Sequence, residues 1–231
     1  DWSVTYWDDG VALDLVYGCM DELACNYNAD ANIDDGSCSY NYYDCYDNGE
    51  YSLVFDGDDY VVIDNISYNG DFTISGIFSA YGNYGYLWDQ DGGNGQDLLR
   101  ISLNSDGKLH ADIRDAIGSE YQYLNLQSIE IVNDGNYHTF TYIRDGNTIS
   151  LYVDDELQDS SHFSSFIFEN SIHTGIGATF YTGNPFNSGN LFLGRINKIK
   201  VLNEAVYPGN SDYGLSDEIS SSTIGLWKFS E

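Results

Sequence analysis

Cys19, Cys25 and Cys38 bracket a run in which oxygen-bearing side chains recur at alternate positions: Asn26, Asn28, Asp30, Asn32 and Asp34, closed by Asp35 and Gly36. Carboxylates and carboxamides spaced this way on a tight loop suit calcium, which takes roughly six to eight hard oxygen ligands. The order is not that of an EF-hand, whose loop needs Gly at its sixth position and Glu at its twelfth. The same side chains can instead cap turns through their own backbone. No Lys or Arg precedes Arg100, so nothing nearby relieves the repulsion between these carboxylates, and that favours a bound cation. With almost nothing apolar to bury, the segment must be held by disulfides, by a cation, or by both.

Cys45 completes the set of cysteines. Four cysteines allow three connectivities, which spacing does not settle. Their gaps are longer than the paired spacing that zinc sites use, so zinc is disfavoured. Disulfides place the chain in an oxidising, extracellular compartment.

A second set of chemistry-bearing residues runs from Tyr81 through Tyr84, Tyr86, Trp88, Asp89 and Asp91 to Asn94, interleaved with glycines. Aromatic faces beside amides and carboxylates are what a sugar needs, so this segment is a candidate contact loop. A smaller one spans 180–187 and includes Tyr181 and Asn184. The competing reading is that Tyr86 and Trp88 open a strand and face the core. Lys198, Lys200 and Arg195 form the one basic cluster; on a strand, 198 and 200 share a face and would pair internally or with an acidic neighbour. Asn65-Ile66-Ser67 is a glycosylation sequon in a eukaryotic producer.

The chain has 231 residues, with 37 acidic against 8 basic, a net charge of −29. That balance repels phosphate backbones and anionic membranes, which excludes nucleic-acid binding. No apolar run is long enough for membrane insertion. Hydrophobic content of 42% and 16% aromatics are ample for a packed core. The chain begins at Asp1 without Met or signal peptide, as expected of a processed product or a fragment of a longer polypeptide.

Three segments must position these residues. Residues 1–17 alternate around Asp9-Gly10 as a hairpin does, or form the tail of a preceding domain. Residues 18–49 are the Cys-rich module. From 50 to 231 short β-branched and aromatic runs alternate with Gly, Asn and Asp. Strands are expected at 51–55, 60–63, 72–78, 98–103, 109–113, 137–144, 148–153, 191–196, 199–202 and 224–229. Asp106-Gly107, Asp134-Gly135 and Asp145-Gly146 supply hairpin turns between strand pairs. The fold class is all-β, an antiparallel jelly-roll sandwich preceded by a small disulfide-rich module.

The 18–38 run resembles short Cys-rich repeats of secreted surface proteins from marine bacteria and aquatic viruses. That resemblance implies a Cys19–Cys38 bridge, with Cys25–Cys45 as the other. A second resemblance rests on motifs in order: Leu53–Val61, Phe72–Gly76, Asp134–Asp154, Leu193–Val201 and Gly225–Phe229. Together they resemble a laminin-G-like, concanavalin A-like jelly roll. The chain departs from that family at Tyr137 (usually Trp), Asp155 (usually Gly) and Asn197 (usually Asp), the last weakening any calcium role there. The family includes glycosidases, which need paired carboxylates. The glucanase string Glu-x-Asp-x-Glu is missing, Glu130 and Asp134 are out of register, and Asp154 and Glu156 fall in a turn. No enzyme is expected. The two resemblances imply an extracellular, non-catalytic adhesion module that binds a glycan or cell-surface polymer, with calcium as a structural ion. The alternative is a structural or decorating subunit of a surface filament or virion whose loops contact copies of itself.

Overall fold

The computed structural model describes residues 7–8, 11–12, 15–21, 24, 27–38, 52–64, 66–68, 70–91, 98–117, 120–163, 173–179, 191–209 and 215–229. The chain divides into two compact units, Asp1–Glu50 and Tyr51–Glu231. In the first, β1 (Trp7–Asp8) and β2 (Val11–Ala12) pair antiparallel. Strands β3 (Tyr17–Gly18) and β4 (Ile33–Asp34) pair parallel. The Cys19–Cys38 disulfide closes this module. Cys25 and Cys45 lie outside the described residues.

The second unit runs β5 (Leu53–Asp56), β6 (Val61–Ile63), β7 (Phe72–Ala80), β8 (Gly85–Asp91), β9 (Leu98–Leu103), β10 (Lys108–Ile117) and β11 (Glu120–Ile131). It continues with β12 (Tyr137–Asp145), β13 (Thr148–Val153), β14 (Glu156–His162), β15 (His173–Ile176), β16 (Leu193–Leu202) and β17 (Thr223–Lys228). A six-stranded sheet has the order β11-β10-β9-β8-β15-β6. A seven-stranded sheet has the order β14-β13-β12-β7-β16-β17, with β5 also on β16. All these pairings are antiparallel, and the sheets form a sandwich.

Alternation creates the core. Leu99, Ile101 and Leu103 of β9 and Leu109, Ala111 and Ile113 of β10 point inward. They join Phe72, Ile74 and Phe78 of β7, Phe140 and Tyr142 of β12, and Leu151 of β13 in one cluster. Each such side chain contributes about 1.5–3 kcal/mol by leaving water. Trp88 and Trp227 meet with ring centroids 5.6 Å apart, joining β8 of one sheet to β17 of the other.

Strand β7 is buried on both faces, because residues following β16 fold over it. Thr73 Oγ1 donates to the Glu204 carbonyl and accepts from the Val206 N–H. Lys198 Nζ donates to the Leu215 carbonyl, and Lys200 Nζ to the carbonyls of Ser216 and Glu218. Asp217 bridges Lys198 and Lys228. Lys198 and Lys200 are thus paired within the chain, Lys198 with an acidic neighbour, Asp217.

Several details depart from the sequence pattern. The two strands expected at 191–196 and 199–202 are one, β16, which starts at Leu193 and is interrupted by a bulge between Ile196 and Lys198. Asp134-Gly135 is not a hairpin turn: β11 and β12 lie in different sheets, and the dipeptide carries the chain between them. Strands β8, β11, β14 and β15 were not among those expected. The turn after β13 holds Asp154 and Asp155 at φ of 51° and 66°, with Val153 opposite Glu156. Two left-handed residues match the twist of a two-residue hairpin.

The outer edge of β11 is closed by side chains of β14. The Gln127 N–H donates to Asp159 Oδ2 and the Ile129 N–H to Gln158 Oε1. Side chains here satisfy donors that would otherwise invite another strand.

Candidate functional site: the polar face of the six-stranded sheet

The register aligns one residue from every strand of the six-stranded sheet: Val62, Gly175, Asp89, Arg100, Asp112 and Asn125. A rung on one side carries Tyr86, Ser102, His110 and Gln127. The rung on the other carries Asp91, Leu98, Arg114 and Tyr123. Because their chain neighbours fill the core, these side chains occupy the opposite, outward face.

The half over β8 and β9 is closed and fully paired. Arg100 Nε donates to Asp89 Oδ1 at 2.6 Å, and Nη2 to Asp91 Oδ2 at 2.7 Å. Thr179 Oγ1 donates to Asp89 Oδ2 at 3.1 Å and lies 3.4 Å from Arg100 Nη2. Asp89 is fully buried. Burial pulls the Arg100 pKa down, but the charges of Asp89 and Asp91 outweigh it, so the guanidinium stays ionised. The guanidinium carbon lies 5.3 Å from the centre of the Tyr86 ring. Burial pushes the Tyr86 hydroxyl up to about 12.

The half over β10 and β11 is open. Asp112 Oδ1 accepts from the Tyr123 hydroxyl at 2.8 Å and from the Asn125 amide. Asn125 Nδ2 also lies 3.2 Å from His110 Nδ1, and Asn104 Nδ2 lies 3.3 Å from the same atom. Gln127 Nε2 donates to Asp106 Oδ2 at 2.7 Å. Tyr123 is 51% exposed. Burial and the adjoining Asp112 raise its pKa, so the hydroxyl stays a fixed donor. An aromatic ring beside oriented amides and a carboxylate can stack on a sugar and exchange hydrogen bonds with its hydroxyls.

Tyr86, Asp89 and Asp91 therefore lie on this face, but in its closed half. A bulge between Tyr86 and Trp88 puts them on opposite faces: Tyr86 faces outward, and Trp88 is fully buried in the core. Trp88 is thus a core residue, and its Nε1 donates to Gln90 inside the protein. Tyr81 and Tyr84 are exposed in the turn before β8, with the Tyr84 ring 6.2 Å from that of Tyr86. Asn94, Tyr181 and Asn184 lie outside the described residues. Arg100, His110, Asp112, Tyr123, Asn125 and Gln127 join this face from outside the segments that composition singles out. Alternation of Tyr123, Asn125 and Gln127 with Leu124 and Leu126 was the available signal.

In the N-terminal unit the Asn and Asp side chains accept from main-chain N–H groups, Asn28, Asp34 and Asp35 as local turn caps and Asn32 from a distant segment. Asn28 accepts from the Asp30 N–H, Asn32 from Val16, Asp34 from Gly36 and Asp35 from Ser37. Those bonds to Ser37 hold the Asp35 carboxyl low. Asn26 lies outside the described residues. Among the described residues, Asp56, Asp58 and Asp59 bring carboxylate oxygens within 4.8 Å of one another, all exposed. A hydrogen bond and charge from Asp56, with the charge of Asp59, raise the Asp58 pKa.

The fold recurs in known structures. NanB sialidase from Streptococcus pneumoniae superimposes with a TM-score of 0.57 at 19% identity, over 68% of this chain and 26% of that one. The chain thus spans about a quarter of that enzyme's length. Domains LG4-5 of the mouse laminin alpha1 chain give 0.50 at 14% identity, over 78% of this chain and 44% of that one. The CBM40 of the Ruminococcus gnavus IT-sialidase, bound to sialyllactose, gives 0.50 at 15% identity, over 60% and 79%. No curated protein matches the sequence. A family profile of laminin-G type does match, over residues 55–209. This chain belongs to the concanavalin A-like lectin/glucanases superfamily.

Proposed function

We propose that the sandwich is a non-catalytic glycan-binding module of an extracellular adhesion or attachment protein, displayed on a cell or virion surface. The observation that carries this reading is the open half of the polar face, where Tyr123, Asp112, Asn125 and His110 are held in one hydrogen-bonded array. Groups fixed before a ligand arrives lose little freedom on binding. The membership of the family and the sialyllactose-bound module of the same fold support carbohydrate as the ligand class.

Hydrolysis needs one carboxyl group held protonated beside a second. Here Asp89 and Asp91 both serve Arg100, while Asp112 serves Tyr123 and Asn125. That arrangement suits binding rather than acid catalysis. Calcium enters the proposal as a structural ion of the Cys-rich unit, supported by the density of oxygen donors from Asn28 to Asp35.

The test is binding of the purified chain to an immobilised glycan array, alongside Tyr123→Ala and Asn125→Ala variants of unchanged melting temperature. Saturable binding by the native chain, lost or at least about tenfold weaker in the variants, supports the reading. Binding unaffected by both substitutions moves the site elsewhere. No binding by the folded native chain turns the case towards a structural subunit.

A further inference from the structure

Resting on the glycan reading above, we infer that this site selects neutral, hydroxyl-rich sugars and discriminates against carboxylated or sulfated ones. A carboxylate-bearing sugar needs a cation with donors to spare, and bidentate Arg is the usual solution. The Arg at the centre of this face is already committed. Its Nε and Nη2 are held by Asp89 and Asp91, both nearly or fully buried, and Thr179 bonds to Asp89 and adjoins Nη2.

The charges on the three rungs follow the same sign. Asp89, Asp91 and Asp112 stand against Arg100 and Arg114, leaving one net negative charge (three minus two) on the rungs, and beyond them Asp106 and Lys108 offset each other. Asp112 sits in register between Arg100 and Asn125, in the part of the face most open to a ligand. A ligand anion bound there would lie within a few ångströms of that carboxylate, where like charges repel strongly at the effective dielectric of a protein surface. The whole chain, at −29, adds a repulsive field to the encounter. Neutral sugars face none of this: their hydroxyls donate to Asp112 and to the Asn125 side-chain carbonyl and accept from Gln127. Arg114, the remaining cation, is one rung away, level with Asp91 and Tyr123.

Matched probes test this: lactose against sialyllactose, mannan against polymannuronate, and galactan against sulfated galactan, each with the native chain and with Asp112→Asn. The native chain is expected to bind at least one neutral member and to prefer it by about tenfold or more over its anionic counterpart at low salt. Asp112→Asn keeps the shape and narrows that gap, as does raised ionic strength. Equal or tighter binding of the anionic members by the native chain overturns the selectivity while leaving glycan binding intact. Failure of the folded native chain to bind any of the six overturns the glycan reading itself and this inference with it.

Discussion

Arg100 and Asp89 face each other across β9 and β8, with Nε 2.6 Å from Oδ1 and the carboxylate fully buried. Asp91 takes the second arm of the same guanidinium. Removing the cation leaves two carboxylates without their partner in a closed site, where breaking a buried pair costs about 3–5 kcal/mol. Arg100→Met is therefore expected to lower stability by roughly that amount in urea titration. Arg100→Lys recovers only part, since a point charge cannot hold both carboxylates in a fork. An Arg100→Met variant as stable as the native chain removes this pairing from the account of the fold.

The β13–β14 turn offers the opposite sign. Asp155 holds φ at 66° and is exposed. A left-handed conformation costs a non-glycine residue about 1 kcal/mol. Asp155→Gly should raise stability by about that much, read as a shift in denaturation midpoint. Asp154→Gly should not, because the Asp154 carboxylate accepts from the Thr139 N–H and bonds His138.

His138 lies between two carboxylates, with Nδ1 2.7 Å from Asp154 and Nε2 3.1 Å from Asp134. Burial pulls its pKa down, but hydrogen bonds and charge from Asp154 and Asp134 outweigh this and raise it. A raised folded pKa means that the stabilisation is complete below the unfolded value of about 6.5 and fades as pH rises through the folded value. The Asp134 carboxyl is held low despite its partial burial, through Asn136 and His138, so its share fades as pH falls through that lowered value. Melting temperature should fall between about pH 6 and pH 8 in the native chain, and His138→Gln should flatten that slope. Parallel slopes in the two proteins exclude His138 as the source.

Gln158 and Asp159 cap the β11 edge, and each bond contributes about 1 kcal/mol. The double variant Gln158→Ala/Asp159→Ala exposes two backbone donors beside Ile129 and Ile131, which are already open to water. Light scattering should show self-association in the double variant and none in the native chain at the same concentration. A double variant that stays monomeric shows the caps to be unnecessary for edge protection.

If the Cys-rich unit holds calcium, chelation lowers its melting temperature and added calcium restores it. The disulfide-bonded turns alone, with Asn28, Asn32, Asp34 and Asp35 accepting from the main chain, predict no response. Differential scanning calorimetry of the intact chain, with and without chelator, separates the two.

Strands whose own residues declare them were legible. The bounds of β9 and β13 match the sequence pattern, because apolar or β-branched residues predominate in Leu98–Leu103 and Thr148–Val153 and each adjoins an Asp-Gly turn. Strand β8 was obscured because Asp89, Gln90 and Asp91 look like loop residues until Arg100 and the Ile66 carbonyl are known to satisfy them. Compensation of that kind comes from tertiary partners and leaves no local trace. Strand β14 is polar for a related reason: two of its side chains serve the main chain of β11. Of the candidate site, the sequence pointed to Tyr86, Asp89 and Asp91, since aromatics and acids cluster there. Their register with Asp112 and Asn125 depends on pairing four strands, which no local window contains.

The two buried lysines of β16 hold the loop after them by its main chain, through the carbonyls of Leu215, Ser216 and Glu218. Every residue type supplies a carbonyl, so the bond at position 218 is largely indifferent to the side chain there, whereas Ser216 Oγ and the Asp217 carboxylate add bonds that only particular residue types can make. Attachment is uncoupled from spelling at exposed position 218 and coupled to it at 217. Position 218 is accordingly a place where the surface can be varied without loosening the sheet beneath.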